Sequence, residues 1–176
     1  MPTPPPTTTR WAHVADAAAY ARCAAASFRE AYADGSDDAN LEVHVARHFS
    51  EAIQRSELQD PRLRLLVAED PAGSWAGFAL LRGGSRAEGV RGARPVEIVR
   101  FYTRAAWYGR GVGAQLMDGA LAAAREAGHD EAWLQVWEGN ARAIRFYEKS
   151  GFVARGRNPF RFGDVWEKDL VYARSP

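Results

Sequence analysis

The run Tyr108-Gly109-Arg110-Gly111-Val112-Gly113 places glycines where a strand candidate gives way to an amphipathic helix. Small residues let a backbone curl closely around an anion, and the amides at the positive end of a helix bind phosphate. A diphosphate ligand suits that geometry, and a glycine turn needed only for strand-to-helix packing explains the same letters. The run lacks the Gly-Lys-Ser/Thr ending of an ATP or GTP phosphate loop. Ala114-Gln115-Leu116 does not complete a dinucleotide fingerprint after Gly109 and Gly111 either. Elsewhere, Glu30, Asp34, Asp37, Asp38 and Glu42 make a local acidic concentration that would attract an amine cation, although an ordinary solvated loop has the same composition. Arg86, Arg91 and Arg94 bring the opposite charge later in the chain and can meet either a phosphate or an acidic part of a substrate. Cys23 is the only cysteine, which excludes an intramolecular disulfide and leaves no second thiolate for a structural zinc. It reads as a small buried helix residue, and no metal is expected.

The elements that must position these residues follow from periodicity. Val96 to Thr103, with Val, Ile, Phe and Tyr, is the most convincing strand and runs toward the glycines. Val112, Leu116, Met117, Ala120, Leu121 and Ala124 form the stripe of the helix after them, which Gly128 ends. Upstream, a short strand around Arg10 to Val14 precedes a helix from Asp16, its expected cap, to about Tyr32. A second helical region from about Asp38 to Gln59 carries Leu41, Val45, Phe49 and Ile53 at spacing four, with a break near Ser50 that can divide it. Arg64 to Glu69 and Ser74 to Leu81 are strands around a turn with Pro71 and Gly73. Ala132 to Trp137 is a further strand, Ala141 to Lys149 a helix, and Phe152 to Arg155 and Val165 to Tyr172 closing strands. The early strand pair and the terminal hairpin-like region predict mixed pairing rather than a purely parallel sheet.

A chain of 176 residues with 47% apolar composition suits one domain, expected over 10–176, after a Pro/Thr-rich flexible tail over 1–9. The balance of 23 Lys and Arg against 22 Asp and Glu carries no whole-chain signature of nucleic-acid or membrane binding. No apolar stretch is long enough to span a bilayer, and Met1 to Thr9 does not read as a secretory signal, so a cytoplasmic location is expected.

Asn140-Ala141-Arg142-Ala143-Ile144-Arg145-Phe146-Tyr147-Glu148-Lys149-Ser150-Gly151-Phe152 resembles the Asn-x-x-Ala-x-x-Phe-Tyr-x-x-x-Gly-Phe signature of the GNAT N-acetyltransferase superfamily at every named position. The glycine run resembles that superfamily's Arg/Gln-x-x-Gly-x-Gly/Ala pyrophosphate loop, with Gly111 and Gly113 at the two later small positions and Tyr108 departing from the first. Ser27-Phe28-Arg29-Glu30-Ala31-Tyr32, Arg100-Phe101-Tyr102 and Trp133 to Asn140 are similar to the bacterial polyamine acetyltransferase-like branch. The likeness extends from about Arg10 to Arg174. It implies an α/β (α+β) fold with a mixed, twisted central sheet flanked by helices. It also implies acetyl-coenzyme A as cosubstrate, entering where two central strands diverge, a small-molecule amine as acceptor, and the homodimer that many relatives form.

Residue by residue, the resemblance implies coenzyme contacts at Phe101, Tyr102, Thr103, Tyr108, Gly109, Arg110, Gly111, Val112, Gly113, Ala114, Asn140, Arg142 and Tyr147. It makes Tyr147 the proton donor to the departing thiolate. Asn140 offers an amide donor and an acceptor, for a ligand or for capping its helix. Glu97, the only carboxylate of the central strand, is a candidate base, acting directly or through water, or else a solvent-facing edge charge. Glu30, Tyr32, Asp37, Asp38 and Glu97 are the candidates for the acceptor. The expected reaction is N-acetylation of a primary amine, possible polyamines included, by direct attack. A protein amine, an aminoglycoside, or a non-catalytic coenzyme-binding sensor domain stand as alternatives.

Overall fold

The computed structural model describes residues 7–32, 38–162 and 165–176. The strands are β1 (Thr8–Trp11), β2 (Leu63–Glu69), β3 (Trp75–Gly83), β4 (Pro95–Thr103), β5 (Glu131–Trp137), β6 (Val153–Phe162) and β7 (Val165–Arg174). The helices are α1 (Ala17–Tyr32), α2 (Asp38–His48), α3 (Glu51–Gln59), α4 (Val112–Glu126) and α5 (Ala141–Lys149). Hydrogen-bonded neighbours follow the order β1-β2-β3-β4-β5-β7-β6. The pairing is mixed, as expected: β1 with β2, β5 with β7 and β6 with β7 are antiparallel, and β4 with β5 is parallel.

The chain divides into two compact units, one holding the residues up to Leu80 with Arg100–Leu116, the other Leu81–Val99 with Met117–Pro176. In the first, α1 and α3 pack together around an aromatic core. Tyr20 lies 5.3 Å from Phe78 and 6.2 Å from Trp75, ring centre to ring centre, and Phe78 lies 5.6 Å from Tyr102. A buried charge is embedded there: Arg100 donates to the Tyr20 hydroxyl at 2.8 Å and to Glu57 Oε2 at 2.6 Å. Burial opposes the Arg100 charge, but Tyr20 and Glu57 outweigh it and leave its pKa raised. The division of α2 from α3 falls at Ser50, whose hydroxyl accepts the Ile53 N–H, and Gln54 donates to His48 O across the break.

Two expectations about the start of the fold need correction. Thr8 and Thr9, assigned to the tail, pair with Glu69 and Ala68 in β1, and Gln115 Nε2 of α4 donates to Thr7 O at 2.8 Å. Composition marked the Pro/Thr run as unable to build a core, whereas these threonines are held by a strand more than fifty positions away. Asp16 does not cap α1 directly. It closes a short 3-10 turn, Val14–Asp16, by accepting the His13 N–H at 2.7 Å and pairing with Arg10 at 2.8 Å.

In the second unit the β4–β5 ladder runs from Pro95↔Glu131 to Glu97↔Trp133 and stops, while β5 continues to Trp137. Trp133, Val171 and Ala173 form a core that Ala87 and Val90 cover. The connection after β3 is pinned by carboxylates: Glu131 accepts the N–H groups of Arg91 and Gly92, and Asp130 those of Ala93 and Arg94. Arg94 also donates to Ala127 O just past the end of α4, and Arg86 to Ala93 O within the connection, so both have partners. No helix among the described residues is long and apolar enough to cross a membrane.

Candidate functional site

Phe101, Tyr102 and Thr103 end β4, and the chain then turns through a 3-10 segment, Ala105–Trp107, into the glycine run. Each step is a short-range bond: Trp107 N–H to Arg104 O, Tyr108 N–H to Ala105 O, and Arg110 N–H to Trp107 O. Gly109 and Gly111 have φ of 73° and 85°. An added Cβ at either would meet nothing within 4 Å, so glycine is needed for the left-handed backbone rather than for space. The Gln115 N–H bonds to Gly111 O at 3.0 Å and closes the first turn of α4. The amides of Val112, Gly113 and Ala114 come before that bond and have no intrahelical acceptor, the arrangement that receives an anion. Tyr108, Gly109, Arg110 and Gly111 are exposed, with the Arg110 guanidinium 5.7 Å from the centre of the Trp107 ring.

What holds this segment was missed in the sequence. Arg104 N–H donates to Ala76 O of β3 at 2.9 Å, and its side chain is gripped by Glu30. At the neighbouring Gly77 a Cβ would lie 2.6 Å from Tyr102 O, so only glycine admits the close approach to β4. Glu30, an acceptor candidate by sequence, accepts Arg104 Nη2 at 2.8 Å on Oε1 and the Ala105 N–H at 2.8 Å on Oε2. Burial pushes the Glu30 carboxyl up, but Arg104 and the Ala105 amide outweigh it and hold it below the ordinary range. Glu42 is likewise paired, with Arg29 at 2.6 Å. The acidic concentration is therefore partly neutralised by arginines on either side. Tyr32 packs its ring 4.6 Å from Phe28. Asp34 and Asp37 lie outside the described residues, as does the side chain of Asp38, which opens α2.

In the second unit Glu97 is only 5% exposed, which removes the solvent-facing edge charge as an explanation. Its Oε2 accepts from Arg82 Nη2 at 2.6 Å, Arg82 Nε at 3.0 Å and Ser85 Oγ at 2.6 Å. Three donors on one oxygen compensate the cost of burying the carboxylate. The lone Arg82 in an apolar strand was the available signal for this pair.

The last group of residues sits on α5, whose bounds match the expectation. Asn140 Oδ1 accepts the Ala143 N–H at 3.1 Å, so Asn140 does cap the helix. Gly151, with φ 85°, ends it, and Phe152 N–H returns to Tyr147 O at 3.0 Å. Tyr147 is 7% exposed, its ring edge-on to Phe146 at 5.5 Å and to Phe152 at 6.1 Å. Arg142 is exposed on the first turn of α5. Cys23 is buried, and burial pushes its thiol up to about 11, which suits packing rather than nucleophilic work.

Residues 24–152 match the model of the acetyltransferase (GNAT) family. An uncharacterised N-acetyltransferase of Mycobacterium tuberculosis is 34% identical over 160 residues, covering 90% of this chain and 97% of that protein. The crystal structure of the PaiA N-acetyltransferase from Thermoplasma acidophilum in complex with coenzyme A superposes with a TM-score of 0.78 at 18% identity, over 97% of this chain and 99% of that one. Nourseothricin acetyltransferase is 28% identical over 66% of each chain, with a TM-score of 0.56. With most of its length inside the family match and a relative this similar over nearly all of it, the chain belongs to the acetyltransferase (GNAT) family and is an acetyl-coenzyme A-dependent N-acetyltransferase.

Proposed function

We propose that the chain acetylates a small primary amine, with the backbone of Arg110 to Ala114 binding the coenzyme A pyrophosphate and Tyr147 protonating the leaving thiolate. The observation that supports this most is the pair of left-handed glycines leading into the first amides of α4, which leaves a backbone able to wrap a diphosphate. Asn140 and Arg142 are proposed to contact the pantetheine arm or the phosphates. In the reaction the amine nitrogen attacks the thioester carbonyl, the C–N bond forms and the C–S bond breaks. The oxyanion in between is proposed to receive a backbone N–H near Tyr102 or Thr103. No acyl-enzyme is required. An amine with an ordinary pKa near 10.4 is only about one part in 2,500 neutral at pH 7, a cost of roughly 4.6 kcal/mol before attack. With three donors already on Glu97 Oε2, we propose that the amine proton leaves through water, with the Glu97 carboxylate as an indirect partner.

A polyamine is the first acceptor to try, on the strength of Asp34, Asp37 and Asp38, since Glu30 and Glu42 are committed to arginines. The 28% identity to nourseothricin acetyltransferase favours a second reading, nourseothricin as the acceptor. Initial rates and product masses with spermidine, a monoamine of similar apolar size, nourseothricin and an amino-terminal peptide separate these. Tyr147→Phe tests the proton donor with little change in volume. Coenzyme A binding should persist while the single-turnover acetyl-transfer rate falls by about 10²-fold. An unchanged rate would remove Tyr147 from the chemistry.

A further inference from the structure

We infer that Glu30 is a positioning residue for the donor site, setting the glycine segment in place through Arg104 and Ala105. This rests on the reading of that segment as the pyrophosphate site. Glu30 lies in the last turn of α1 and reaches residues 74 and 75 positions away. Its Oε1 accepts from Arg104 Nη2 at 2.8 Å and from Nε at 3.1 Å, and its Oε2 from the Ala105 N–H at 2.8 Å. Both oxygens are thereby engaged where the chain leaves β4. On the other side, the Arg104 N–H is held by Ala76 O at 2.9 Å. Residues 104 and 105 are thus fastened to α1 and to β3.

From there to Gly111 the chain is a series of turns, each bonded three residues back, from Trp107 N–H to Arg104 O through Arg110 N–H to Trp107 O. Such a series transmits the position of its first turn to its last, because no step spans far enough to correct an error in the one before. Gly109 and Gly111 have no side chain with which to anchor themselves, so the segment hangs between the buried Val112 and Leu116 of α4 downstream and the fixed point at residues 104 and 105 upstream. Glu30, together with Ala76 O, supplies the upstream point. The adjoining Arg29–Glu42 pair ties the same turn of α1 to α2, but with side chains 45% and 56% exposed it contributes little.

Electrostatics and positioning predict opposite signs. Removing a carboxylate from the neighbourhood of a polyanion site, and releasing Arg104 from it, would by charge alone tighten coenzyme A binding, most strongly at low salt. Loss of positioning would loosen binding at every salt concentration. The experiment measures the coenzyme A Kd at low and high salt, together with kcat and both KM values, for wild type, Glu30→Ala and Glu30→Gln. Glu30→Ala should weaken coenzyme A about tenfold, and Glu30→Gln, whose amide oxygen still accepts the Ala105 N–H, about threefold or less. The acetyl-coenzyme A KM should rise in parallel, with kcat at saturating donor and the acceptor KM within about twofold of wild type. Unchanged or tighter coenzyme A binding in Glu30→Ala, or a change confined to the acceptor KM, would overturn the inference, the latter returning Glu30 to the acceptor. Should Glu30→Ala fail to fold, Arg104→Gln and the Glu30→Gln/Arg104→Gln double variant carry the test. A double variant no weaker than Arg104→Gln alone supports a single unit, and additive losses refute it. Gly111→Asp is measured alongside. Unchanged coenzyme A affinity there would sink the pyrophosphate reading itself, whereas a large loss there with none in Glu30→Ala would sink only the role of Glu30.

Discussion

The two segments assigned to the donor, the glycine run before α4 and the helix α5, differ in how much of their support is local. α5 carries its caps within itself, with Asn140 on its first turn, Gly151 at its end and Phe152 returning to Tyr147, while Tyr172 and Arg174 of β7 also reach Glu148 and Ser150 at its last turn. The glycine run is fastened by Glu30 of α1 and Ala76 of β3, both far away in sequence. Caps that lie inside a motif can be read letter by letter, and supports that come from distant residues cannot. The contrast also locates fragility. Loss of an α5 cap should stay local, whereas the turns of the glycine run can be disturbed from outside as well as from within.

The largest effect is expected inside the glycine run. Gly111→Asp puts a carboxylate and a Cβ on a backbone with φ 85°, so coenzyme A affinity should fall by roughly 100-fold, more than a charge-neutral Gly111→Ala loses. Calorimetric titration of the folded variants measures both, and equal losses would leave backbone strain as the sole cause.

A smaller and separable effect is expected at the start of α5. Asn140→Ala should lower stability by about 1 kcal/mol through loss of the cap. Asn140→Asp keeps an oxygen for the Ala143 N–H but has no amide to donate, so its melting temperature should stay near wild type while donor affinity falls. If both variants lose stability alone and bind coenzyme A as wild type does, Asn140 is a cap and nothing more.

The smallest effect concerns pH and sits on the α1–α2 side. His44 stacks on Phe28 at 4.4 Å and 7°. Burial first, then the charges of His48, Arg100 and Arg47, push its pKa down from 6.5 to about 4. The unfolded chain therefore binds a proton that the folded chain refuses between those values. Stability contributed by neutral His44 is complete above pH 6.5 and declines as pH falls toward 4. Melting temperatures from pH 7 to 4 should fall less steeply in His44→Phe than in wild type, and parallel curves would assign the acid sensitivity to other groups.

Much of the fold was legible. The bounds of α5 at Ala141–Lys149 agree with the periodicity, and Ser50 divides the second helical region as the break near it anticipated. Gly109 and Gly111 stood out because glycine is the residue for a left-handed backbone, and the structure uses both that way. Other features carried no local mark. Nothing in the letters of Gly77 distinguishes a tolerated glycine from one that must let β3 approach Tyr102 O. Glu97 stood out as the carboxylate of its strand, but its partners Arg82 and Ser85 come from another strand and the loop after it.

By itself, the sequence determined what depends on neighbours within a few residues: the caps and stripes of the helices, the left-handed turns, and the signature from Asn140 to Phe152 that marks the family. Only the tertiary structure decided where the charged side chains went. It drew Thr8 and Thr9 into a strand, committed Glu30 to Arg104 and Ala105, and buried Glu97 among donors. The physical reason is range. A dihedral preference or a cap is settled within one turn, whereas a carboxylate's partner is whichever donor the folded chain brings within about 3 Å, and sequence spacing does not encode that distance.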